Sequence, residues 1–498
     1  APPRPDGERR SRPARGRQRT AEPSPDGTWK AVHRDHNVVL EHSESGEIIP
    51  VTTDGTADVS YGTASWVYGE ELSQQTAMWW SHDSSMLAFY RFDESEVRDY
   101  YLLDGWTDDY TTPVTEGYPK AGDPNPVPGV LIYHLEDERI VEVPVLNQPT
   151  DYVYRVEFSP NDDALLFHRT NRRQDRLEVV AADPHTGDTR VVVVEEQDTW
   201  QNNRPVMTFL EDGAGFIWES ERSGYGQFQR RHLAGTKMAD LTRGEFPVDD
   251  VVAVHEESHR LFFSAFSGDP AINRHLHVTD LGNGTGQRRL TPLGRNHTFL
   301  SVSPDARWFI ATSETVDTPP VTILYTTDGS PRLTLAEATA RSADEFAIPP
   351  AELLRLRAAD ETTELYGILY KPSDFDPDRT YPLVVYVYGG PYIRIVRNRY
   401  RAANAETELG YLIAVVDNRG TVDRGKAFES ATYLQLGVVD VDDQAAAVAQ
   451  LAARPYVDAS RVGIYGGSYG GYMTIMAMLR YPEQFHVGVA TAAVTDWR

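Results

Sequence analysis

Cysteine is absent from the 498 residues, which excludes structural disulfides, thiolate metal ligands and a cysteine nucleophile, and leaves reducing and oxidising compartments equally open. Lysine is scarce too. It stands only at positions 30, 120, 237, 371 and 426, so arginine carries the basic charge. Biased codon usage in a GC-rich bacterium and salt adaptation are both compatible with that balance. No apolar run approaches the roughly 20 residues needed to cross a bilayer, so no membrane span is expected. No signal-type apolar segment is present, and the chain opens Ala1-Pro2-Pro3 without an initiator methionine, so a processed or cut N-terminus is expected. Positive charge is short overall: 48 basic against 74 acidic residues give a formal net charge of -26. Polyanions would be repelled, so no nucleic-acid partner is expected. The one basic patch, Arg9 to Arg19, reads as a solvated terminal segment and not as a binding arm.

What is present suits a folded protein of at least two domains: 40% hydrophobic and 10% aromatic residues over a length greater than one core usually serves. From about 20 to about 345, short alternating apolar runs are separated by Asp, Asn, Gly, Ser and Pro, the strand-and-turn pattern of an all-β domain. A diffuse repeat runs through it. Ser24-Pro25-Asp26-Gly27, Ser81-His82-Asp83, Ser159-Pro160-Asn161-Asp162 and Ser303-Pro304-Asp305 each precede a strand. Proline presets the turn and Asp or Asn bonds the backbone two residues on. Such spacing predicts a β-propeller over residues 1–345, of seven or eight blades at about 40 to 50 residues each, with part possible upstream. A long β-sandwich array is the alternative.

Over 346–498 strands alternate with amphipathic helices, the α/β pattern. Pro382 to Tyr388, Tyr411 to Val416 and Arg461 to Tyr465 read as buried strands, Val438 to Arg454 and Tyr472 to Leu479 as helices, and Val487 to Ala493 as a further strand. Asp440, Asp442 and Asp443 fall in the first turns of the first helix, where negative charge suits the dipole. Gly466-Gly467-Ser468-Tyr469-Gly470-Gly471 lies between strand and helix, the context of a G-x-S-x-G nucleophile elbow. Glycines there allow a turn tight enough to lift the hydroxyl above the sheet. A phosphate-binding loop would want a lysine, and none is near.

These motifs together resemble the dipeptidyl peptidase IV branch of the prolyl oligopeptidase family, in its bacterial form. The similarity rests on Ser65-Trp66-Val67-Tyr68-Gly69-Glu70-Glu71, Trp79-Trp80-Ser81, Tyr118-Pro119-Lys120-Ala121-Gly122, Asn125-Pro126, Tyr388-Gly389-Gly390-Pro391, Asp417-Asn418-Arg419-Gly420 and the Ser468 elbow, in the family's order. It implies a propeller followed by an α/β-hydrolase domain, and a serine exopeptidase acting on peptides with a free N-terminus and Pro, or Ala, second. Ser468 would be the nucleophile, and the Tyr388 hydroxyl and Tyr469 backbone N–H the oxyanion hole. Glu70 and Glu71 would hold the substrate amine, and Val494 and Trp497 would open the proline pocket. Read without the family, Glu70 and Glu71 are an ordinary solvated acidic pair. The resemblance implies no cofactor or metal, a homodimer at full length, and a periplasmic or secreted location, with the cytoplasm still open.

The sequence departs from the pattern in places. Gly69 replaces the first acid of the Trp-Val-Tyr segment and Ser65 its leading Asp. The arginine that grips the substrate backbone would be Arg15, Arg17, Arg19 or a residue upstream. In this hydrolase order the acid and the base follow the nucleophile, yet Asp496 comes too early for the acid, and His486, the only histidine after residue 350, reads as structural or exposed. The expectation is a chain truncated after the elbow and its next strand, and inactive alone. A prolyl tripeptidyl peptidase and a non-catalytic propeller scaffold are the competing readings.

Overall fold

The computed structural model describes residues 13–340, 345, 346, 348–401 and 404–497. Of the basic patch, Arg9, Arg10 and Arg12 lie outside the described residues. Between Ala21 and Glu337 the chain forms six antiparallel sheets of four or five strands in the manner of propeller blades, five of them meanders of consecutive strands, and one separate two-stranded hairpin. Seven or eight blades were expected. The difference arises in residues 59–143, where one sheet shares its stretch with a short helix, Trp66–Glu70, and a hairpin of Asp99–Asp104 on Thr112–Gly117.

One turn recurs before the second long strand of every blade. Its fourth residue, Gly27, Ser84, Asp162, Gly213, His259 or Ala306, is left-handed, with φ between 50° and 76°. That residue's N–H donates to the carbonyl of the first turn residue at 2.9–3.0 Å. In four copies the first residue is serine, and its hydroxyl accepts the N–H that starts the next strand: Trp29 from Ser24 at 3.0 Å, Met86 from Ser81 at 2.9 Å, Ala164 from Ser159 at 3.0 Å and Trp308 from Ser303 at 3.1 Å. Leu210 and Glu256 open the other two turns, which carry no Ser-Pro-Asp signature and are invisible in the sequence.

Blades are joined by buried polar stitches as well as apolar packing. The Tyr90 hydroxyl donates to the Val153 carbonyl at 2.7 Å and the Trp218 indole to Glu195 at 3.0 Å. Tyr90, Tyr154, Phe167, Phe216 and Trp218 are all fully buried in one cluster spanning three blades.

The α/β part is a six-stranded sheet in the order Glu352–Arg357, Glu364–Tyr370, Leu412–Val416, Tyr381–Tyr386, Val457–Gly467, Val487–Thr491. The first two junctions are antiparallel and the rest parallel. Leu383, Val385, Leu412, Ala414 and Ile464 are buried, as continuous apolar runs require when both faces are covered. The helix Val439–Ala452 buries Val441, Ala445, Val448 and Leu451 against them. Its acids do more than suit the dipole. Asp443 binds Arg419 at 2.8 Å, Asp442 binds Arg480 at 2.6 Å, and Asp440 is fully buried.

The two folds meet through named bonds. Lys426 Nζ pairs with Glu221 at 3.1 Å, the Asn398 amide donates to Asn273 at 2.9 Å, and the Thr199 and Ser430 hydroxyls meet at 2.6 Å. Among the described residues no helix is long and apolar enough to cross a membrane.

Candidate functional site

Ser468 sits between the strand Val457–Gly467 and the helix Tyr469–Arg480 and is the N-cap of that helix. The helix begins three residues before its expected start at Tyr472, because Tyr469 is anchored by packing and not by propensity. Ser468 has φ 56° and ψ -120°, a conformation that strains a residue with a side chain by about 1–3 kcal/mol. Its N–H donates to Thr491 on the adjoining strand at 2.9 Å, and its side chain is left exposed. The glycines are required by contact: a Cβ on Gly466 would lie 2.3 Å, and one on Gly470 2.2 Å, from the Val387 carbonyl oxygen. Gly467 is different, since its nearest neighbour is the Thr491 oxygen at 3.8 Å.

Val387 leads directly into Tyr388, so the same close approach brings the Tyr388 turn against the elbow. The Tyr388 and Tyr469 rings are 6.3 Å apart, and Asn418 holds the turn by donating to the Gly389 carbonyl at 3.0 Å. As the first helical residue, Tyr469 presents a backbone N–H with no intrahelical acceptor at the positive end of the helix dipole. Its side chain turns inward, the hydroxyl donating to Asp440 at 2.5 Å. Burial raises the Asp440 carboxyl despite that bond, and burial together with Asp440 raises the Tyr469 phenol. Trp497 stands 5.7 Å from the Tyr469 ring and 5.3 Å from Tyr472, while Val494 is half-buried nearby in the chain. Asp440 and Tyr472 escaped the sequence reading. Their only signal was the helical position of each, since the contacts join residues about thirty apart.

Glu70 ends the five-residue helix Trp66–Glu70 and Glu71 caps it. Tyr68 anchors that helix in the core, accepting the Val153 N–H at 3.2 Å. Gly69, the departure from the family pattern, has a steric cause. A Cβ there would lie 2.4 Å from the backbone of Gly16, and one on Gly16 would lie 2.2 Å from the Trp66 indole nitrogen. The segment carrying Arg15 is thereby laid across the helix, and Arg15 Nε donates to Glu70 at 2.6 Å. The hydrogen bond and charge of Glu70 raise the Arg15 guanidinium. Arg17 pairs instead with Glu116 and Arg19 with Glu22. Glu71 is pushed up by desolvation and then by Glu70, against the pull of Arg15 and Arg204. Trp66 and Tyr118 pack at 5.5 Å beside the pair.

The loop around residue 200 ties the acid pair to the Tyr388 side. Arg204, which the sequence did not single out, donates to the Glu71 carbonyl at 2.6 Å and to Ser73 at 2.8 Å. Three residues earlier, the Gln201 carbonyl accepts from Tyr392, just past the Tyr388 turn, at 3.4 Å. Among the described residues no hydrogen bond reaches the Ser468 hydroxyl, and none of their His, Asp and Glu side chains forms a metal-binding group. His486 accepts the Val462 N–H at 3.2 Å. That puts it at the far end of the strand pair, where Val487 faces Gly463 while Thr491 faces Gly467, about 15 Å from the elbow at the usual strand rise.

Two family models match the chain: the dipeptidyl peptidase IV N-terminal region over residues 5–320, and the prolyl oligopeptidase family over residues 399–498. An Aspergillus flavus protein named probable dipeptidyl peptidase 4 is 28% identical over 95% of this chain and 64% of its own length. An Aspergillus niger protein named probable dipeptidyl-aminopeptidase B is 30% identical over 97% of this chain and 57% of its own. The chain thus spans less than two-thirds of these curated relatives. The crystal structure of Porphyromonas gingivalis dipeptidyl peptidase 4 superposes with a TM-score of 0.83 at 31% identity, covering 96% of this chain and 68% of that one.

Proposed function

The chain belongs to the dipeptidyl peptidase IV branch of the prolyl oligopeptidase family, and on that footing we propose that its complete form is a serine exopeptidase releasing dipeptides with Pro, or Ala, in second position. We divide it near residue 345 into a propeller that selects the substrate's amino end and an α/β domain that cuts. Ser468 Oγ bonds to the scissile carbonyl carbon as its proton passes to a base that the complete form supplies, and the carbonyl electron pair moves to oxygen; when that pair returns the C–N bond breaks, the departing amine takes the proton, and water then frees the dipeptide from the serine. The Tyr388 hydroxyl and the Tyr469 N–H meet that oxyanion. Glu70 and Glu71 hold the ammonium by charge-assisted bonds, fixing how many residues reach the nucleophile. Arg15, already beside Glu70, is the candidate to bind the substrate backbone. Val494 and Trp497 receive the proline ring.

The observation that carries this function is the strained, exposed Ser468 at the head of a helix, wedged against Val387 by side-chain-free neighbours. No described imidazole lies against its hydroxyl, and without a base serine is a weak nucleophile at neutral pH. We therefore expect residues 1–498 alone to be inert. The test uses protein expressed from the complete reading frame. A Gly-Pro chromogenic substrate should be cleaved, and its N-acetylated form should lose at least ten-fold in kcat/KM. Equal cleavage of the two refutes an amine anchor, and preference for Ala-Ala-Pro makes the enzyme a tripeptidyl peptidase.

The same proposal includes a homodimer. The hairpin of Asp99–Asp104 and Thr112–Gly117 leaves Tyr101 73%, Trp106 78% and Tyr110 89% exposed, an apolar surface that a second copy would cover.

A further inference from the structure

The helix that opens at the elbow has little in its own sequence to hold its first turn. Tyr469 is followed by Gly470 and Gly471, and glycine is among the poorest helix formers. Neither leaves room for a better one: a Cβ on Gly470 would lie 2.2 Å from the Val387 carbonyl oxygen, and one on Gly471 2.9 Å from the Thr491 oxygen. Tyr469 is therefore the one side chain between Ser468 and Tyr472 that can fasten this turn to the rest of the molecule.

That side chain locates more than its own backbone. Gly390, in the turn after Tyr388, packs against it: a Cβ on Gly390 would fall 2.8 Å from Tyr469 Cγ and 3.0 Å from the Tyr388 ring. Trp497 stands against the same ring at 5.7 Å. Apolar packing of this kind is not directional, so it leaves the ring free to tilt. A single polar bond defines where its far end stands.

That bond runs to Asp440, in the first turn of the helix Val439–Ala452, whose Oδ2 accepts the Tyr469 hydroxyl at 2.5 Å. Burial, with Asp440 beside it, raises the phenol, which keeps its proton and remains the donor at neutral pH. Asp440 is fixed in turn by its own helix. The Gly437 N–H donates to Oδ2 at 3.2 Å and the Val441 N–H to Oδ1 at 2.9 Å, and the residue is fully buried. Burying a carboxyl is costly even where it is hydrogen-bonded, so packing of the ring does not call for one. What the carboxyl adds is direction.

We propose that Asp440 is a positioning residue for the oxyanion hole: through the Tyr469 hydroxyl it fixes the ring on which both the Tyr469 N–H and the Tyr388 turn depend. Asp440 has this role only if Ser468 is the nucleophile and Tyr388 and Tyr469 are the oxyanion donors, as proposed above. Being fully buried, it does not touch substrate. A donor held at the wrong angle weakens the tetrahedral intermediate and leaves the ground-state carbonyl, and the amine bound by Glu70 and Glu71, as they were. Loss of the bond is therefore read in kcat and not in KM.

The test is a double-mutant cycle of Tyr469→Phe, Asp440→Ala and the two together, in protein expressed from the complete reading frame, with Ser468→Ala alongside. On the Gly-Pro chromogenic substrate each single variant should lose about ten-fold or more in kcat, with KM within about three-fold of wild type. The double variant should lose about as much as the worse single one, because both changes remove the same bond. Tyr469→Phe keeps the ring and its packing, so it decides the matter should Asp440→Ala not fold. Wild-type kcat in Tyr469→Phe, a loss confined to KM, or single losses that multiply in the double variant would each overturn the role of Asp440 while the nucleophile stands. Turnover that survives Ser468→Ala would overturn the nucleophile, and the role of Asp440 with it.

Discussion

Ser468 is held in its strained conformation by what its neighbours lack. A methyl group on Gly466 would drive into the Val387 carbonyl at 2.3 Å, whereas one on Gly467 would make an ordinary contact. Gly466→Ala is therefore expected to destabilise the protein by about 1–3 kcal/mol, as overpacking does, and Gly467→Ala by well under 1 kcal/mol; urea denaturation of the two variants measures the difference. The sequence exposed this motif because the glycines, the serine and the flanking elements are contiguous. It could not reveal that Asp440 takes the Tyr469 hydroxyl, or that Gly16 leaves room only for glycine at 69, because those contacts join distant positions.

At the scale of the element, the recurrent turn shows what pattern reading can and cannot do. Four copies announce themselves through Ser followed by Asp or Asn, three of them with Pro between; the two beginning at Leu210 and Glu256 have the same backbone with other residues, since the left-handed fourth position is the shared constraint. The serine hydroxyl matters most where water is excluded. Ser81 is fully buried, accepting the Met86 N–H and donating to Asp83 at 2.7 Å. Ser81→Ala should cost about 1–3 kcal/mol, the usual penalty for a buried group left unpaired, and the less buried Ser303→Ala visibly less, by thermal melting.

The joint between the fourth blade and the helix Lys426–Glu429 adds a pH dependence. Burial, and after it neighbouring Glu221, pushes Glu429 up from 4.5 to about 8, and burial does the same for Glu219. The folded protein holds protons there that the unfolded chain releases, so stability is full near pH 4.5 and is lost as pH rises toward 8. The urea midpoint should fall between pH 5.5 and 8.5, and Glu429→Gln should flatten that fall. A midpoint insensitive to pH in both proteins would contradict it.

For the whole molecule, composition announced two folds and their order, and the four α/β strands that were expected fell close to their places because continuous apolar runs admit little else, whereas Glu352–Arg357 and Glu364–Tyr370, interrupted by charged residues or glycine, went unread. The blade number did not, because the helix Trp66–Glu70 and the exposed hairpin enlarge one unit. That hairpin should matter to assembly: Trp106→Glu is expected to turn a dimer into a monomer by light scattering after size exclusion, without altering the melting temperature of the monomer. The most direct measurement is turnover of the Gly-Pro chromogenic substrate by the protein from the complete reading frame and by its Ser468→Ala variant. Activity that falls at least about 1000-fold in the variant, in line with loss of a catalytic nucleophile, is the expected result. Turnover that survives the substitution would contradict the assignment of Ser468.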